Sequence, residues 1–259
     1  MKYTRFIVCG DSYSEGMSDE IVDGNYRGWA DRVADTLTKS VPDFTYLNLA
    51  IRGKLLQQVS EEQLPIALTY VDGPQTLISF HAGANDALRP GFNPAVAREI
   101  YMNAVRKAAA SGATVMLFTV LEDTGNKGRA AELWKVRFGE FNKSVREVGA
   151  EVGAIVHDAN SEEFFRDNRF LAFDRLHLNS DGHTRVADAV LEKLGYEFNP
   201  KWRTPLPDAL PTPWLTERAI SAKWFATFVL PWIWRRVRGK SSGDGRSAKY
   251  PLPTAWPLA

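Results

Sequence analysis

A chain of 259 residues can bury one large core and carry a small additional element. It is 44% hydrophobic and 24% charged, a globular composition, and its single cysteine excludes both an internal disulfide framework and a cysteine-built metal site. The net charge of +1 conceals an asymmetry: residues 1–198 hold 22 Lys+Arg against 28 Asp+Glu, and residues 199–259 hold 10 against 3. A basic tail on an acidic body suits docking on that body, on anionic lipid or on nucleic acid. Met1 to Arg5 is followed by only four apolar residues, which is no signal-peptide pattern. The longest apolar stretch, Trp224 to Trp234, contains Pro231 and falls well short of the ~20 residues of a membrane-spanning helix. The expected location is therefore cytoplasmic.

The first predicted element is a buried strand, Phe6 to Cys9, with Cys9 an inert core thiol; Gly10 ends it and leads into Asp11-Ser12. Ser14 to Tyr26 is a polar loop, and the apolar spacing of Trp29, Val33, Ala34 and Leu37 predicts a helix over 28–40. Thr45 to Ala50 reads as a second strand, followed by Ile51-Arg52-Gly53. Ser60 with Gln63 gives a capping-box pattern for a helix ending near Tyr70. Gln75 to Phe80 is a third strand that runs into His81-Ala82-Gly83-Ala84-Asn85-Asp86. Asn93-Pro94 opens the next helix, stopped by Gly112; Thr114 to Thr119 is a fourth strand and Gly128 to Ala150 a long amphipathic helix. Gly153 to His157 is a short fifth strand, and after Asp174-Arg175-Leu176-His177 a last helix covers 180–194.

Strands alternating with helices predict an α/β fold, a parallel sheet covered on both faces. Right-handed crossovers then bring the carboxyl ends of the strands to one edge, where ligands bind in such sheets. Ser12, Gly53, Asn85, Asp174 and His177 all follow strands and gather there. Serine-based ester cleavage needs a nucleophile, a base and oxyanion donors. Ser12 can be the first and His177 the second, with Asp174 three residues earlier holding the other ring nitrogen. The oxyanion donors would be the N–H groups of Ser12 and Gly53 and the side-chain amide of Asn85; glycine at 53 lets a substrate approach the backbone. Taken singly, each residue has a plainer reading: a turn serine, a surface histidine, a turn glycine, a turn asparagine. Asp86 reads as bonding amides of its own loop and His81 as a packing residue, while His157 and His183 have no evident partner. No His/Asp/Glu spacing marks a metal site, and no cofactor is called for.

Four short blocks in order, Gly10-Asp11-Ser12, Gly53 in NLAIRGK, Gly83-Ala84-Asn85-Asp86 and Asp174-Arg175-Leu176-His177, resemble the SGNH/GDSL hydrolase superfamily. The first reads GDSYSEG where the family name has GDSL, a departure after the nucleophile. The whole chain is most similar to actinobacterial intracellular-type members. The resemblance spans about residues 4–195. It implies a flavodoxin-like three-layer sandwich, here with a five-stranded parallel sheet, as a catalytic domain over 1–198. It also implies ester hydrolysis through an acyl-enzyme on a small-molecule ester, without metal or cofactor. Catalytic Ser12, Asp174 and His177, with Ser12, Gly53 and Asn85 as the oxyanion hole, are carried by the matching blocks. Acyl transfer or deacetylation of a sugar or lipid, and a non-catalytic binding module, are the alternatives. Loops 13–26, 86–93, 120–130 and 159–173 would set substrate choice.

Residues 199–259 hold 9 of the 14 prolines and 6 of the 8 tryptophans, too aromatic a composition for simple disorder. Thr216 to Val237 predicts a helix with Trp224, Phe225, Phe228 and Trp232 near one face, broken or kinked at Pro231. The expectation is an extension packed on the catalytic domain. An interfacial membrane helix is the next reading and an oligomer interface the third. Nucleic acid comes last, since the body is acidic and carries no recognition motif.

Overall fold

Apolar runs bounded by turn residues form five parallel strands: β1 Arg5–Gly10, β2 Thr45–Asn48, β3 Thr76–His81, β4 Thr114–Phe118 and β5 Ile155–His157. The computed structural model describes residues 2–123, 125 and 128–257. The strands lie in the order β5-β4-β3-β1-β2. Phe6, Ile7, Val8 and Cys9 of β1 are completely buried, as continuous apolar runs are in a sheet covered on both faces. Burial pushes the Cys9 thiol up to about 12, leaving it unreactive.

Alternate residues of the central strand serve opposite cores. Ile7 and Cys9 pack with Leu56, Tyr101 and Val145, beneath the helical run 56–68, α2 Pro94–Ala110 and α3 Arg129–Val152. Phe6 and Val8 pack with Trp29, Val33 and Val190, beneath α1 Gly28–Leu37 and α4 Ser180–Leu194. The result is the expected three-layer α/β arrangement.

The sheet has a sixth strand that the sequence reading lacked. β6, Tyr250–Ala255, runs antiparallel to β2 with Thr45 opposite Ala255 and Asn48 opposite Tyr250, so the sheet is mixed at this edge. Its sequence YPLPTA carries Pro251 and Pro253, which lack an N–H and are tolerated only where one side of a strand needs no partner. Trp256 anchors the turn beyond it, with its Nε1 donating to Asp35 at 2.8 Å and its ring against Tyr46 and Tyr250. Just before β6, Lys249 is buried on the body: its Nζ lies 2.7 Å from Asp31 Oδ1 and donates to the carbonyls of Tyr26 and Arg27.

Two helices differ from expectation. The run expected to begin at Ser60 begins at Leu56 and passes through Leu56–Gln58, a π-helical Val59–Gln63 and Leu64–Leu68. Gln58, not Gln63, reaches back to the N-terminus, accepting from Leu55 N at 3.0 Å. Gln63 instead grips the end of β1, accepting from Gly10 N at 2.7 Å and donating to Gly10 O at 2.9 Å. In the tail, α5 Trp214–Trp224 continues through a π-helical Phe225–Val229 into α6 Leu230–Val237. The helix is not broken at Pro231, because the wider turn before it absorbs the missing N–H. Among the described residues no helix is long and apolar enough to cross a membrane.

Candidate active site

Gly10 ends β1, and Ser12 opens a one-turn helix, Ser12–Glu15, capped by Asp11, whose Oδ1 accepts from Tyr13 N at 3.1 Å. A residue at that position has its N–H free of an intrahelical partner. The chain then folds tightly over the start of α1. Gly16 has φ +91, and a Cβ on it would lie 2.5 Å from the Gly28 Cα, so both positions need glycine.

His177 arrives from the far end of the sequence. Its Nε2 lies 2.9 Å from Ser12 Oγ and its Nδ1 2.7 Å from Asp174 Oδ2. Asp174 is pinned as well by its other oxygen, which accepts from the N–H groups of Leu176 and His177, each at 2.9 Å. Burial disfavours the charge on Asp174, but the His177 ring and these two amides outweigh it and hold the carboxyl below its ordinary range. Nδ1 therefore carries the proton that Asp174 accepts, which leaves Nε2 to accept from Ser12.

The Gly53 loop is locked to the Ser12–Glu15 helix by an ion pair that sequence reading missed. Glu15 Oε2 accepts from Arg52 N at 2.6 Å, and its Oε1 lies 2.5 Å from Arg52 Nη2. Burial works against the Arg52 charge, and the Glu15 carboxylate overcomes it and keeps the guanidinium protonated. Asp86 fixes the other end of this loop. It accepts from Leu56 N at 2.9 Å, across to a different segment, which corrects the expectation that it serves its own loop. Burial, with Asp11 nearby, raises its carboxyl to about 6.

Gly53 has φ +76 and lines the same small cavity as Ser12, Asn85 and His177. The Asn85 amide donates to Asp11 Oδ2 and to Lys54 O, both at 3.1 Å, so its two N–H groups are engaged in this arrangement. Donation to an oxyanion requires Asn85 to exchange one of these bonds.

The remaining histidines stand outside the Ser12–His177–Asp174 line, although His81 and His183 border the cavity next to Ser12. His183 is buried; its Nδ1 accepts from Trp29 N at 3.3 Å while Nε2 faces Met17 O at 3.2 Å, a pattern that fixes the neutral ring with the proton on Nε2. Burial lowers it to about 4. His81 stacks on Tyr13 with ring centroids 4.5 Å apart, and its Nδ1 lies 3.6 Å from Asp11 Oδ1. His157 is buried between Phe118 and Phe165 with neither ring nitrogen hydrogen-bonded, and burial lowers it to about 4. No group of three or more His, Cys, Asp or Glu among the described residues is placed to hold a metal ion.

The family model of the GDSL-like lipase/acylhydrolase family matches residues 8–185. The chain belongs to this family. It is a serine ester hydrolase, and the matched span runs from β1 into α4. Similar solved structures include an acetylxylan esterase from Geobacillus stearothermophilus, 16% identical with a TM-score of 0.61, covering 77% of this chain and 100% of that one. A lipolytic G-D-S-L family protein from Veillonella parvula is 22% identical with a TM-score of 0.57, covering 73% and 96%. A psychrotrophic esterase from Pseudoalteromonas is 18% identical with a TM-score of 0.56, covering 74% and 97%. These likenesses show the shared fold. No match was found among curated proteins.

The tail closes on the site of this hydrolase. Trp224 Nε1 donates to Asp174 O at 2.9 Å, and the Arg175 guanidinium lies 4.8 Å from the Trp224 ring centre while donating to Ser221 Oγ. Arg175 itself has φ +59, a left-handed conformation that costs a non-glycine residue about 1 kcal/mol or more. On the opposite side, Ser241 packs over Gly53 so closely that a Cβ there would lie 2.1 Å from Ser241 Oγ. The sequence contained the tryptophans and serines but nothing that paired them with positions 174 and 53.

Beneath Ser12 opens a second cavity of about 150 Å³ with mostly apolar walls, including Leu88, Val120, Phe138, Phe165 and Leu178. All four loops expected to govern substrate choice contribute to it, through Tyr13, Leu88, Val120 and Leu171 among others.

Proposed function

We propose that this hydrolase cleaves small esters of short-chain acids through an acyl-enzyme on Ser12. Ser12 Oγ bonds to the ester carbonyl carbon as its proton passes to His177 Nε2, with Asp174 steadying the resulting imidazolium. The oxyanion is met by the N–H groups of Ser12 and Gly53 and by one N–H of Asn85, released from its present partner. The bond from carbonyl carbon to the alcohol oxygen breaks, and the alcohol leaves with the proton from Nε2. Water then attacks the acyl carbon and gives a proton to Nε2; the bond from the acyl carbon to Ser12 Oγ breaks, Oγ takes the proton back from Nε2, and the acid departs.

The observation that carries this reading is the unbroken line from Asp174 Oδ2 through His177 to Ser12 Oγ, at 2.7 and 2.9 Å. The acyl length follows from the cavity of about 150 Å³ beneath the nucleophile. An apolar cavity of about that size holds a benzene molecule, so acyl groups up to about six carbons fit. A panel of p-nitrophenyl esters from acetate to decanoate tests both parts. The reading expects kcat/KM to peak at or below hexanoate and Ser12→Ala to abolish turnover. Wild-type turnover in Ser12→Ala, or a peak at decanoate, contradicts it.

A further inference from the structure

The cavity over Ser12 and His177 is roofed by the C-terminal segment. Phe228, Trp232, Arg235, Lys240 and Ser242 line it, facing Gly53 and Asn85. No carboxylate lines it, and neither Arg235 nor Lys240 has an ion pair or a side-chain hydrogen bond among the described residues. Asp244, close in sequence, accepts from Ser241 N at 2.8 Å and lines the adjoining groove with Asp86, making an ion pair with neither cation. Two unpaired cations beside a nucleophile form a positive pocket with no internal counter-ion.

The two cavities meeting at Ser12 differ in character. The one beneath is apolar and suits the acyl group; the roof is cationic and lies where the alcohol portion of the ester must go. At about 50 Å³ the roof cavity holds only a few heavy atoms, and Gly53, Trp232 and Lys240 also line the wide groove of about 1280 Å³ beside it. Resting on the hydrolytic reading above, we propose that Arg235 and Lys240 form an anion subsite, and that the substrate is a short-chain ester of an alcohol bearing a phosphate or carboxylate a few atoms from the ester oxygen. Arginine offers a planar fork that matches either anion in two hydrogen bonds, and lysine adds a point charge. The tail thereby acts as part of the substrate pocket, supplying specificity that the family-matched span alone lacks.

The test compares three butyrate esters that differ only at the far carbon of the alcohol, at low salt: 1-butyrylglycerol, 1-butyrylglycerol 3-phosphate and 3-butyryloxy-2-hydroxypropanoate. The wild-type enzyme and the Arg235→Gln/Lys240→Gln double variant are each assayed for kcat/KM. The wild type prefers at least one anionic ester over the neutral one by about 10-fold or more, and the double variant loses about 10–100-fold of that preference. The arm that is preferred names the anion as phosphate or carboxylate. Equal rates on all three esters in the wild type overturn the subsite. So does a double variant that slows neutral and anionic esters equally, as cations acting only on the oxyanion would. An alkylphosphonate is applied to the same preparations to separate the two claims. If Ser12 is labelled and 1-butyrylglycerol is hydrolysed, an absent preference refutes the subsite alone. An unlabelled Ser12 with no ester hydrolysed refutes the hydrolytic reading with it.

Discussion

Lys249→Met is the sharpest test of how the tail is held. In the wild type the Lys249 ammonium, almost fully buried, lies 2.7 Å from Asp31 Oδ1 and donates to Tyr26 O at 2.8 Å and Arg27 O at 3.0 Å. Methionine fills similar space but leaves the Asp31 carboxylate buried, with the Tyr46 hydroxyl at 2.7 Å as its remaining hydrogen-bond donor. Removing one partner of a buried pair costs about 3–5 kcal/mol, which for a chain of this length lowers Tm by roughly 10 °C. Burial already raises Asp31 to about 6 with the lysine present, and losing the cation raises it further. The folded variant then binds a proton that the unfolded chain releases above the ordinary carboxylate range. Its stability therefore falls as pH rises, and its deficit against wild type is larger at pH 8 than at pH 5. Removing both charges in Lys249→Met/Asp31→Leu recovers most of the loss, since an apolar pair of similar volume replaces the ions at little net cost. Thermal and urea unfolding at the two pH values read all three quantities. A single variant within 1 °C or so of wild type at pH 8 refutes the buried pair, and with it the anchoring of β6.

Three further outcomes follow from the site and its surroundings. Glu15→Gln removes the charge that holds Arg52 beside Gly53, and kcat is expected to fall by roughly 10-fold or more through displacement of the Gly53 loop proposed to meet the oxyanion; unchanged kcat in steady-state assays removes Glu15 from that positioning role. His157→Leu replaces an imidazole whose two nitrogens are buried without partners by an apolar side chain, and is expected to raise stability by about 1 kcal/mol; a lower Tm speaks against an unsatisfied ring. His157 and His183, both lowered to about 4, are bound by protons in the unfolded chain before the folded one. Stability is thus full above about pH 6.5 and falls as pH drops toward 4, by an order of 3 kcal/mol for each ring. His157→Leu flattens that slope by about half, and a variant with the wild-type slope contradicts the assignment.

The residues around which the site is built were readable from sequence because the chemistry leaves a local trace. Ser12, Gly53, Asn85 and Asp174-Arg175-Leu176-His177 each follow a strand, and a parallel sheet with right-handed crossovers brings such positions to one edge. The supports were not readable, since they join segments far apart in the chain. Nothing near Glu15 marks Arg52 as its partner, and Gln63 looked like a helix cap because capping is a local pattern whereas its bonds to Gly10 span 53 residues. Asp86 was misassigned for the same reason: its acceptor role is taken up by Leu56 N, 30 residues away. β6 escaped notice because prolines at alternate positions read as loop, and only an edge position beside β2 makes them compatible with a strand. The aromatic, basic composition of the tail set it apart from the body. Its place over Asp174 and Gly53 depends on contacts between Trp224 and the Asp174–His177 loop, and between Ser241 and the Gly53 loop, that no spacing encodes.

The central claim, that Ser12 is the nucleophile activated by His177, is tested most directly by covalent labelling. Wild-type protein is incubated with a p-nitrophenyl alkylphosphonate bearing a short alkyl group, and the adduct is located by intact mass and peptide mapping. The account predicts one phosphonyl group on Ser12, loss of esterase activity in step with labelling, no adduct on Ser12→Ala, and labelling slowed at least 100-fold in His177→Ala. An adduct on another residue, or esterase activity that survives full labelling of Ser12, contradicts it.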